Sequence, residues 1–457
     1  METFCAKKLK AEDMTDSVTS LTDVICKASG FLDFAESVVA LEGLVATNKA
    51  IRQAIHRYVT STSLLNHQHL QLLVAREWPA IEVLQLSSLQ LDTQAASVLA
   101  QGKWPLLREL HVNDSNLDES GLQALVGDDW PLLEVVDLSN NPLCGSFWWH
   151  SNNRWTALKH LYLHHITQGH QTHAAAHNSN MRKPDYMRRS DMAGVVDCKF
   201  PRLQTLSMKG SRLDSLDIAA LAKGKWPALQ KLILGSLSTT AISLQTLYPR
   251  WQSLQRLELE CGQRTEHIMC QAACADWPVL GELTIRNNEL SPEANSAGFT
   301  VNMGQCHWAL LKSLTLTGFS LNAVAVAYLA RGRWPLLQKL RLDHDSLDAA
   351  CMGQLIYAKW PKVHTLNLKH NRLDWVAVTI MFRGVWPELK SLNLRHNHGH
   401  MKLTYHEASS VLLTTPSAWP CLQQLKCCLA GQAFGACTLK RQANDGELCP
   451  VLPSRSG

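Results

Sequence analysis

The sequence predicts an α/β solenoid, in which short parallel strands form one sheet and helices cover its outer side. Two observations indicate this fold. Tryptophan recurs at a nearly fixed spacing, as at Trp334, Trp360 and Trp386, which are 26 residues apart. Counted from each such anchor, apolar residues fall at positions +3, +6 and +8, as at Leu340 and Leu342. A period of this length is typical of stacked supersecondary units that bury a shared core.

The repeat frame covers most of the 457 residues. Nine of the twelve gaps between successive anchors measure 25 or 26 residues, and the longest, of 45 residues, contains an extra segment at 167–191. Proline follows ten of the anchors. The anchors are Trp78, Trp104, Trp130, Trp155, Phe200, Trp226, Trp251, Trp277, Trp308, Trp334, Trp360, Trp386 and Trp419. This regularity predicts a single solenoid over residues 67–436, with twelve or thirteen parallel strands.

The first half of each repeat has the pattern of a short strand followed by a turn. Leucines at +6 and +8 alternate with other residues, so that alternate side chains point to the buried face. Asparagine at +11 can satisfy backbone groups of the turn, and the examples are Asn141, Asn288, Asn371 and Asn397. Over about residues 70–430, this LxxLxLxxNxL segment resembles the leucine-rich repeat family. The repeat length is similar to that of its ribonuclease-inhibitor-like and cysteine-containing subclasses. The resemblance implies a horseshoe with a parallel inner sheet and outer helices.

The second half of each repeat is predicted to be a helix. Aspartate at +14 is a favoured N-cap, and it recurs as Asp92, Asp118, Asp214, Asp348 and Asp374. The helix must end before the Trp-Pro pair, because the residue before proline disfavours the α region. We expect the tryptophan to fill the seam between repeats and to bury a large area. The alternative, an aromatic ladder that stacks on nucleic-acid bases, conflicts with the fixed place of the anchor outside the strand.

The composition is that of a globular protein, since 46% of the residues are hydrophobic and 18% are charged. A net charge of +5, from 44 basic and 39 acidic residues, is too balanced to indicate nucleic-acid binding by itself. We expect no membrane association, because no run of 18 or more apolar residues occurs. The first 20 residues lack the apolar core of a secretory signal. We therefore expect a cytoplasmic or nuclear protein with reduced cysteines.

Residues 21–58 do not follow the repeat frame and have the apolar spacing of helices. A leucine, a Phe-Leu pair and a leucine-rich stretch in this segment resemble the F-box family. In that family the segment binds a Skp-type adaptor of a cullin–RING ubiquitin ligase, and the leucine-rich repeats hold the protein to be ubiquitinated. The resemblance implies adaptor contacts at Leu21, Phe31, Leu32, Leu41 and Leu44. The motif's usual proline is Thr22 here and its final tryptophan is absent; the alternative is a helical cap for the solenoid.

The predicted domain organisation follows from these patterns. We expect a flexible N-terminus at 1–17, a small helical segment (F-box-like or a cap) at 18–66, leucine-rich repeats at 67–436 and a disordered tail at 437–457. The last segment is polar and rich in proline, so it has little to bury.

The extra segment at 167–191 is predicted to project from a rim of the solenoid. Its basic residues are candidates for contact with an acidic or phosphorylated partner; they are Arg182, Lys183, Arg188 and Arg189. Three histidines would share one face of a helix, but no carboxylate or thiolate completes a zinc site; they are His170, His173 and His177. We expect no metal and no other cofactor.

Side chains at +5, +7 and +9 alternate with the buried leucines and are expected on the inner, concave face. This face is predicted to be mildly acidic in the early repeats and basic in the late ones. The candidate partner-binding residues are His160, Tyr162, His164, Arg256, Glu258, Lys339, Arg341, Lys369, His370, Arg395 and His396. His344, His370 and His396 share position +10, so we expect their imidazoles to form a row. Copying of one repeat explains this row better than a metal site does.

No phosphate-binding loop, dinucleotide-binding loop, zinc-protease motif or nucleophile elbow occurs in the sequence. We therefore predict a non-catalytic module that binds a protein target on its concave face. It is a candidate substrate-recognition subunit of an SCF-type ubiquitin ligase, or a scaffold with no link to a ligase. Nucleic-acid binding by the basic late repeats is a weaker alternative.

Overall fold

The computed structural model divides into two compact units, an N-terminal unit of residues 1–203 and a C-terminal unit of residues 204–457. Both units repeat the same succession of short strand and turn, with a helix in many repeats. The residues that the structure describes are 58–60, 74, 81–88, 90–126, 130–143, 155–166, 195–196, 198, 200–211, 213, 215–237, 251–261, 277–287, 308–397, 419–428, 436–441 and 448–451.

In the N-terminal unit, the described strands pair in parallel and in chain order. They are β1 (Tyr58–Thr60), β2 (Val83–Gln85), β3 (Glu109–His111), β4 (Val135–Asp137) and β5 (His160–Tyr162). Helices follow β2 and β3 in the second half of their repeats; they are α1 (Thr93–Ala100) and α2 (Glu119–Val126). Because β1 lies before residue 67, strand pairing starts earlier than the sequence predicts, inside the segment that was expected to be helical.

In the C-terminal unit, strands again pair in parallel and in chain order. They are β6 (Thr205–Met208), β7 (Lys231–Leu237), β8 (Arg256–Cys261), β9 (Glu282–Asn287), β10 (Ser313–Thr317), β11 (Lys339–Asp343), β12 (Thr365–Asn367), β13 (Ser391–Asn393) and β14 (Gln424–Cys428). The described helices are α3 (Ser215–Leu221), α4 (Ala323–Ala330), α5 (Ala349–Leu355) and α6 (Trp375–Met381). The strands lie where the +6 to +8 frame places them, which confirms the predicted leucine-rich repeat fold.

The leucines of the frame form the core of each repeat. In the repeat that starts at Trp334, Leu340 and Leu342 are at most 1% exposed. The intervening Lys339 and Arg341 reach solvent, as the alternation of a strand requires. Each fully buried leucine stabilises the fold by about 1.5–3 kcal/mol relative to an exposed one.

Aspartate or asparagine at +14 caps the helices, as predicted. The Asp348 carboxylate accepts a hydrogen bond from the backbone N–H of Cys351 at 2.9 Å, and Asp374 accepts one from Ala377 at 2.8 Å. Each cap satisfies a donor that the helix itself leaves without a partner. The same contact recurs at Asp92, Asp118 and Asn322. Asp214 lies outside the described residues.

The tryptophan anchors are buried in stacked pairs, as predicted for the seam between repeats. The rings of Trp334 and Trp360 lie 5.6 Å apart with 17° between their planes, and those of Trp130 and Trp155 lie 6.2 Å apart with 9° between their planes. Each of these four residues is at most 2% exposed. Buried rings offer no face to a nucleic-acid base, so the base-stacking alternative fails for these anchors.

Where asparagine stands at +11, it joins its turn to the turn of the preceding repeat. The Asn371 Oδ1 accepts hydrogen bonds from the backbone N–H of Asp345 at 2.9 Å and of Leu347 at 3.1 Å. Its Nδ2 donates to the main-chain carbonyl oxygens of Leu342 at 2.7 Å, Leu368 at 2.9 Å and Lys369 at 3.3 Å. Asparagine was expected to satisfy backbone groups of the turn that follows its strand. Leu368 and Lys369 supply such carbonyl groups, whereas the N–H groups belong to the repeat before it. Equivalent bonds are made by Asn141 and Asn397.

Two antiparallel strands follow β14. They are β15 (Ala436–Arg441) and β16 (Leu448–Val451). The tail at 437–457 was predicted to be disordered, and these strands correct that prediction for the residues they contain. The physical reason is that an edge strand presents unpaired N–H and C=O groups, and a following segment that pairs with it satisfies them.

Candidate functional site

Each strand presents one row of side chains on the face opposite the leucine core. We call the side chains at +5, +7 and +9 of the strands the strand face. On β11 these are Lys339, Arg341 and Asp343. Because polar residues alternate with the buried leucines, the polar side chains of neighbouring strands lie side by side, about 4.8 Å apart. The predicted concave-face residues that the structure describes belong to this strand face or, at +10, to its edge.

In the N-terminal unit the strand face is acidic and aromatic. His111, Asp137 and Tyr162 lie side by side at +7. The Tyr162 ring meets the edge of the His164 ring at a centroid distance of 5.9 Å. Burial raises the pKa of Tyr162, and the negative charges of Asp137 and Glu109 raise it further. The phenol therefore stays protonated at neutral pH and can donate a hydrogen bond to a partner.

On β8 and β9 the charged side chains pair with one another. Arg256 lies 3.6 Å from Glu258 and 3.1 Å from Glu282. Arg286 forms an ion pair with Glu258 and lies 4.0 Å from Glu260. The side chains of Glu258 and Glu260 are only 7% and 8% exposed, so their charges need these guanidinium groups as compensation. The charges of this network nearly cancel, so it offers little net charge for binding an outside partner.

On β11 a buried carboxylate holds two cations in place. Arg341 donates two hydrogen bonds to Asp343, from Nε at 2.6 Å and from Nη2 at 2.7 Å. Thr317 donates to the same carboxylate at 3.0 Å, and the Lys369 Nζ lies 3.8 Å away. Burial opposes the charge of Asp343, but the hydrogen bonds and positive charge of Arg341, with smaller effects of Thr317 and Lys369, outweigh burial and lower its pKa. Asp343 is therefore ionised at neutral pH and fixes the Arg341 guanidinium.

Four hydrogen-bond donors lie side by side at +7 of β11 to β14. The register places Arg341 next to Asn367, Asn367 next to Asn393, and Asn393 next to Lys426. The Asn367 Oδ1 accepts a hydrogen bond from the backbone N–H of Lys369 at 3.2 Å, and Asn393 makes the equivalent bond at 3.2 Å. Both amides thus use their acceptor within their own strand and keep their Nδ2 donors. We call these four residues the donor row.

The three histidines at +10 form the predicted row. The ring centroids of His344 and His370 lie 4.2 Å apart, and those of His370 and His396 lie 4.3 Å apart, with nearly parallel planes. All three have positive φ, between 56° and 61°, a conformation in which Asn, Asp and His are enriched among residues other than glycine. Asp114 and Asn140, at the same repeat position, also have positive φ. Copying of one repeat is therefore not needed to explain these histidines, because the backbone already restricts the residue type.

The stacked row makes the stability of the fold depend on pH. The pKa of His370 is lowered from 6.5 to about 4, mainly by burial and then by positive charge on His344, His396 and Lys369. The negative charge of Asp343 acts in the opposite direction and raises this pKa. A base with a lowered folded-state pKa contributes stability that is complete above its unfolded pKa and is lost as the pH falls through its folded pKa. The relevant window is therefore between pH 6.5 and about 4.

We expect the change His370→Asn to flatten the pH dependence in this window. Asparagine tolerates the positive φ of this position and does not titrate. From pH 6.5 to 4 the wild-type chain should lose more free energy of unfolding than the variant, by on the order of 1 kcal/mol after screening by solvent. Urea titrations followed by tryptophan fluorescence at both pH values measure this difference. Parallel pH profiles for the two proteins would show that the stacked row does not titrate as described.

Several predicted site residues lie outside the described residues. These are the basic residues of the extra segment, Arg182, Lys183, Arg188 and Arg189; its histidines, His170, His173 and His177; and the adaptor-binding candidates, Leu21, Phe31, Leu32, Leu41 and Leu44. Their roles stay predictions. His160, at +5 of β5, and Arg395, at +9 beside Lys369, are described and lie on the strand face.

Within the described residues, no group of three or more histidine, cysteine, aspartate or glutamate side chains is arranged to hold a metal ion. No described helix is long and apolar enough to cross a membrane. Burial raises the pKa of the Cys351 thiol to about 12, and this side chain is 1% exposed. Cys351 therefore packs as a small apolar residue and is a poor nucleophile.

Sequence reasoning missed some residues of this surface as site candidates. Asp343, Asn367 and Asn393 were placed on the strand face by the frame, but their fixed hydrogen bonds were not foreseen. Arg286 and Lys426 are absent from the predicted candidates, although the repeat frame places them at +9 and +7 of their own repeats.

No protein-family model matches the chain, and no curated protein matches it. Among solved structures, an internalin from Listeria monocytogenes is similar at 16% identity, over 82% of this chain and 86% of the internalin chain, with a TM-score of 0.35. The structure of the Rad7 and Elc1 complex in yeast contains a chain similar at 15% identity, over 90% of this chain and 93% of that one, with a TM-score of 0.44.

The repeat frame, the parallel strands in register and the asparagine bonds between turns define the fold class. The chain has a leucine-rich repeat fold. Its described strand face differs along the chain: it is acidic and aromatic on β3 to β5, internally paired on β8 and β9, and rich in hydrogen-bond donors on β11 to β14.

Proposed function

We propose that the chain is a non-catalytic protein-interaction module whose strand face binds a protein target, and that it is a substrate-recognition subunit of an SCF-type ubiquitin ligase. The observation that supports the first part most strongly is the donor row of Arg341, Asn367, Asn393 and Lys426. These side chains stand side by side on four strands in register, and two of them keep donors that the fold does not use.

The form of the surface favours a macromolecular partner. Four adjacent strands, about 4.8 Å apart, present an open polar surface. Small molecules are usually held in concave, mostly apolar pockets, whereas protein partners cover broad surfaces with a polar rim. A module of this kind acts in the cytoplasm or nucleus, where ubiquitin ligases assemble.

The link to a ligase rests on the resemblance of residues 21–58 to an F-box. In this proposal a Skp-type adaptor binds there, and the leucine-rich repeats present the target. The alternative is a scaffold in which this segment only caps the repeats. The two alternatives differ in one observable, the binding of the adaptor.

Co-purification of the full chain with a Skp-type adaptor tests the proposal. The double change Phe31→Ala and Leu32→Ala should reduce the adaptor recovered to background, because these apolar side chains would lose their contact with it. A matched variant with Tyr357→Ala and Val385→Ala, which are 72% and 70% exposed, should keep the adaptor. Thermal unfolding of both variants shows whether the repeats stay folded.

Two results would contradict the ligase role. If the wild-type chain recovers no adaptor at low ionic strength, where charged contacts are strongest, the ligase role is wrong. Equal loss in both double variants would also contradict it, since the loss would then not depend on the F-box-like segment.

A further inference from the structure

The last described repeats are strongly basic. Residues 308–397 contain 12 lysines and arginines against 5 aspartates and glutamates, whereas the whole chain has a net charge of only +5. The excess of positive charge is therefore concentrated in about a fifth of the chain. A concentration of one sign of charge attracts ligands of the opposite sign.

The fold uses most of the carboxylates in this region. Asp348 and Asp374 cap helices α5 and α6. Asp343 is paired with Arg341, and Asp345 is completely buried. Of the five acidic residues only Glu388 remains on the surface without such a role. Twelve basic minus five acidic residues leave an excess of seven positive charges in these repeats, and this excess is available to an outside partner.

The donor row offers such a partner hydrogen-bond donors and positive charges in a fixed order. Arg341 uses Nε and Nη2 for Asp343 and keeps Nη1. Lys426 has no ion-pair partner among the described residues. Between them, Asn367 and Asn393 offer their Nδ2 donors. The row therefore presents a cation, two neutral donors and a second cation in that order, with Lys369 near its centre at +9.

We propose that the donor row binds an extended acidic peptide segment that crosses strands β11 to β14. Three strand spacings of about 4.8 Å separate the ends of the row by roughly 14 Å, and four residues of an extended chain, at about 3.4 Å each, cover the same distance. Carboxylates four residues apart meet Arg341 and Lys426, while main-chain carbonyl oxygens between them accept hydrogen bonds from Asn367 and Asn393. This rests on the proposed function and defines the chemistry of its target.

The distribution of the cations favours a peptide with separate carboxylates. The positive groups are spread over four strands and do not converge on one point, as they would around a single phosphate. No aromatic side chain stands at +5, +7 or +9 of β11 to β14. Proteins that bind single-stranded nucleic acid combine positive charge with aromatic side chains on which bases stack. An acidic peptide therefore fits this surface better than RNA or DNA.

Fluorescence anisotropy with defined probes tests the inference on the full chain. One probe is a labelled peptide of glycine and serine with two glutamates four residues apart; the second has the same length and composition with its two glutamates adjacent. We expect the spaced peptide to bind about threefold more tightly at low ionic strength, because only it places carboxylates at both ends of the row. A single-stranded RNA of equal charge serves as the third probe.

The deciding variant is Asn367→Asp with Asn393→Asp. Each change keeps the Oδ1 that accepts a hydrogen bond from the backbone N–H two residues further on. Asp137, at the same repeat position, already accepts this bond from the backbone N–H of Ser139 at 3.0 Å. The changes replace both Nδ2 donors with negative oxygens, so the affinity for the spaced peptide should fall about tenfold or more. The matched control is Tyr357→Asp with Val385→Asp, which alters the net charge equally at exposed positions outside the strand face. The control should change the affinity by less than about twofold.

Every outcome bears on the inference. No binding of the spaced peptide by the wild-type chain, equal losses in the two variants, or tight binding of the RNA with loss in Asn367→Asp/Asn393→Asp would overturn it. If the inference fails while adaptor recovery still depends on Phe31 and Leu32, the proposed function stands without it. If the adaptor is absent while the peptide binds as expected, the chain is an acidic-peptide-binding scaffold.

Discussion

The change Asn371→Ala is expected to destabilise the C-terminal unit by about 4–6 kcal/mol. Asn371 is 1% exposed. Its removal leaves the backbone N–H groups of Asp345 and Leu347 without their acceptor. It also leaves the carbonyl oxygen of Leu342 without its donor, whereas that of Leu368 keeps the Nδ2 of Asn397 at 3.1 Å. Each buried polar group that loses its partner costs about 1–3 kcal/mol.

The measurement is urea unfolding followed by tryptophan fluorescence, because the buried anchors report directly on the repeats. The matched control is Asn367→Ala, four residues away, where the side chain accepts one hydrogen bond at 3.2 Å and is partly exposed. The control should cost less than about 1 kcal/mol. A similar shift of the urea midpoint for both variants would contradict the role assigned to the asparagine at +11.

The change Asp345→Asn is expected to stabilise the protein, by about 2 kcal/mol at neutral pH. Asp345 occupies the same +11 position as Asn371 one repeat earlier. Its Oδ1 accepts a hydrogen bond from the backbone N–H of Phe319 at 2.7 Å, but its Oδ2 is buried without a partner. An asparagine there would place Nδ2 at this point, where it can donate to main-chain carbonyl oxygens as Asn371 does.

The stabilisation should grow with pH. Burial raises the pKa of Asp345 well above its ordinary value, and the negative charge of Asp343 raises it further. An acid with a raised folded-state pKa contributes stability that is complete below its unfolded pKa, and that is lost as the pH rises through its folded pKa. Asparagine has no such loss. The difference in free energy of unfolding between Asp345→Asn and the wild-type chain should therefore increase from pH 4 to 8.

This difference separates Asp345 from the other titrating groups, because those groups are the same in both proteins. His370, whose effect has the opposite sign below pH 6.5, cancels in the comparison. A constant difference across the pH range would mean that Asp345 does not titrate in the folded state as described. A destabilised variant at pH 8 would mean that the turn needs a carboxylate.

The sequence alone was enough to predict the repeating part of the fold. The spacing of the anchors located strands such as β11 and β12, and the aspartates at +14 located the starts of α5 and α6. The burial of Trp334 and Trp360 followed from their fixed place in the frame. These features depend on contacts between equivalent positions of neighbouring repeats, which a periodic sequence shows directly. Whether the repeats continue as one solenoid through the extra segment at 167–191 stays a prediction.

The site was less predictable, because it depends on side-chain partners rather than on period. The frame placed Arg256 and Glu258 on one surface, but not the ion pairs with Arg286 and Glu282 that neutralise them. The frame placed Asn367 at +7, but it did not show that the Asn367 Oδ1 accepts a hydrogen bond from the backbone N–H of Lys369. The pairing of β15 and β16 was missed, since their sequence lies outside the period and only the edge of β14 explains it.

Site-specific photo-crosslinking tests the central claim, that the strand face binds the target, most directly. A photoreactive amino acid is placed in the full chain either at Thr315, which lies beside Arg341 in the register, or at Thr379, which is exposed on α6. After irradiation with the spaced acidic peptide, we expect an adduct from position 315, its loss in the background of Asn367→Asp with Asn393→Asp, and little adduct from position 379. Adducts of equal yield at both positions, or an adduct only at 379, would contradict the account.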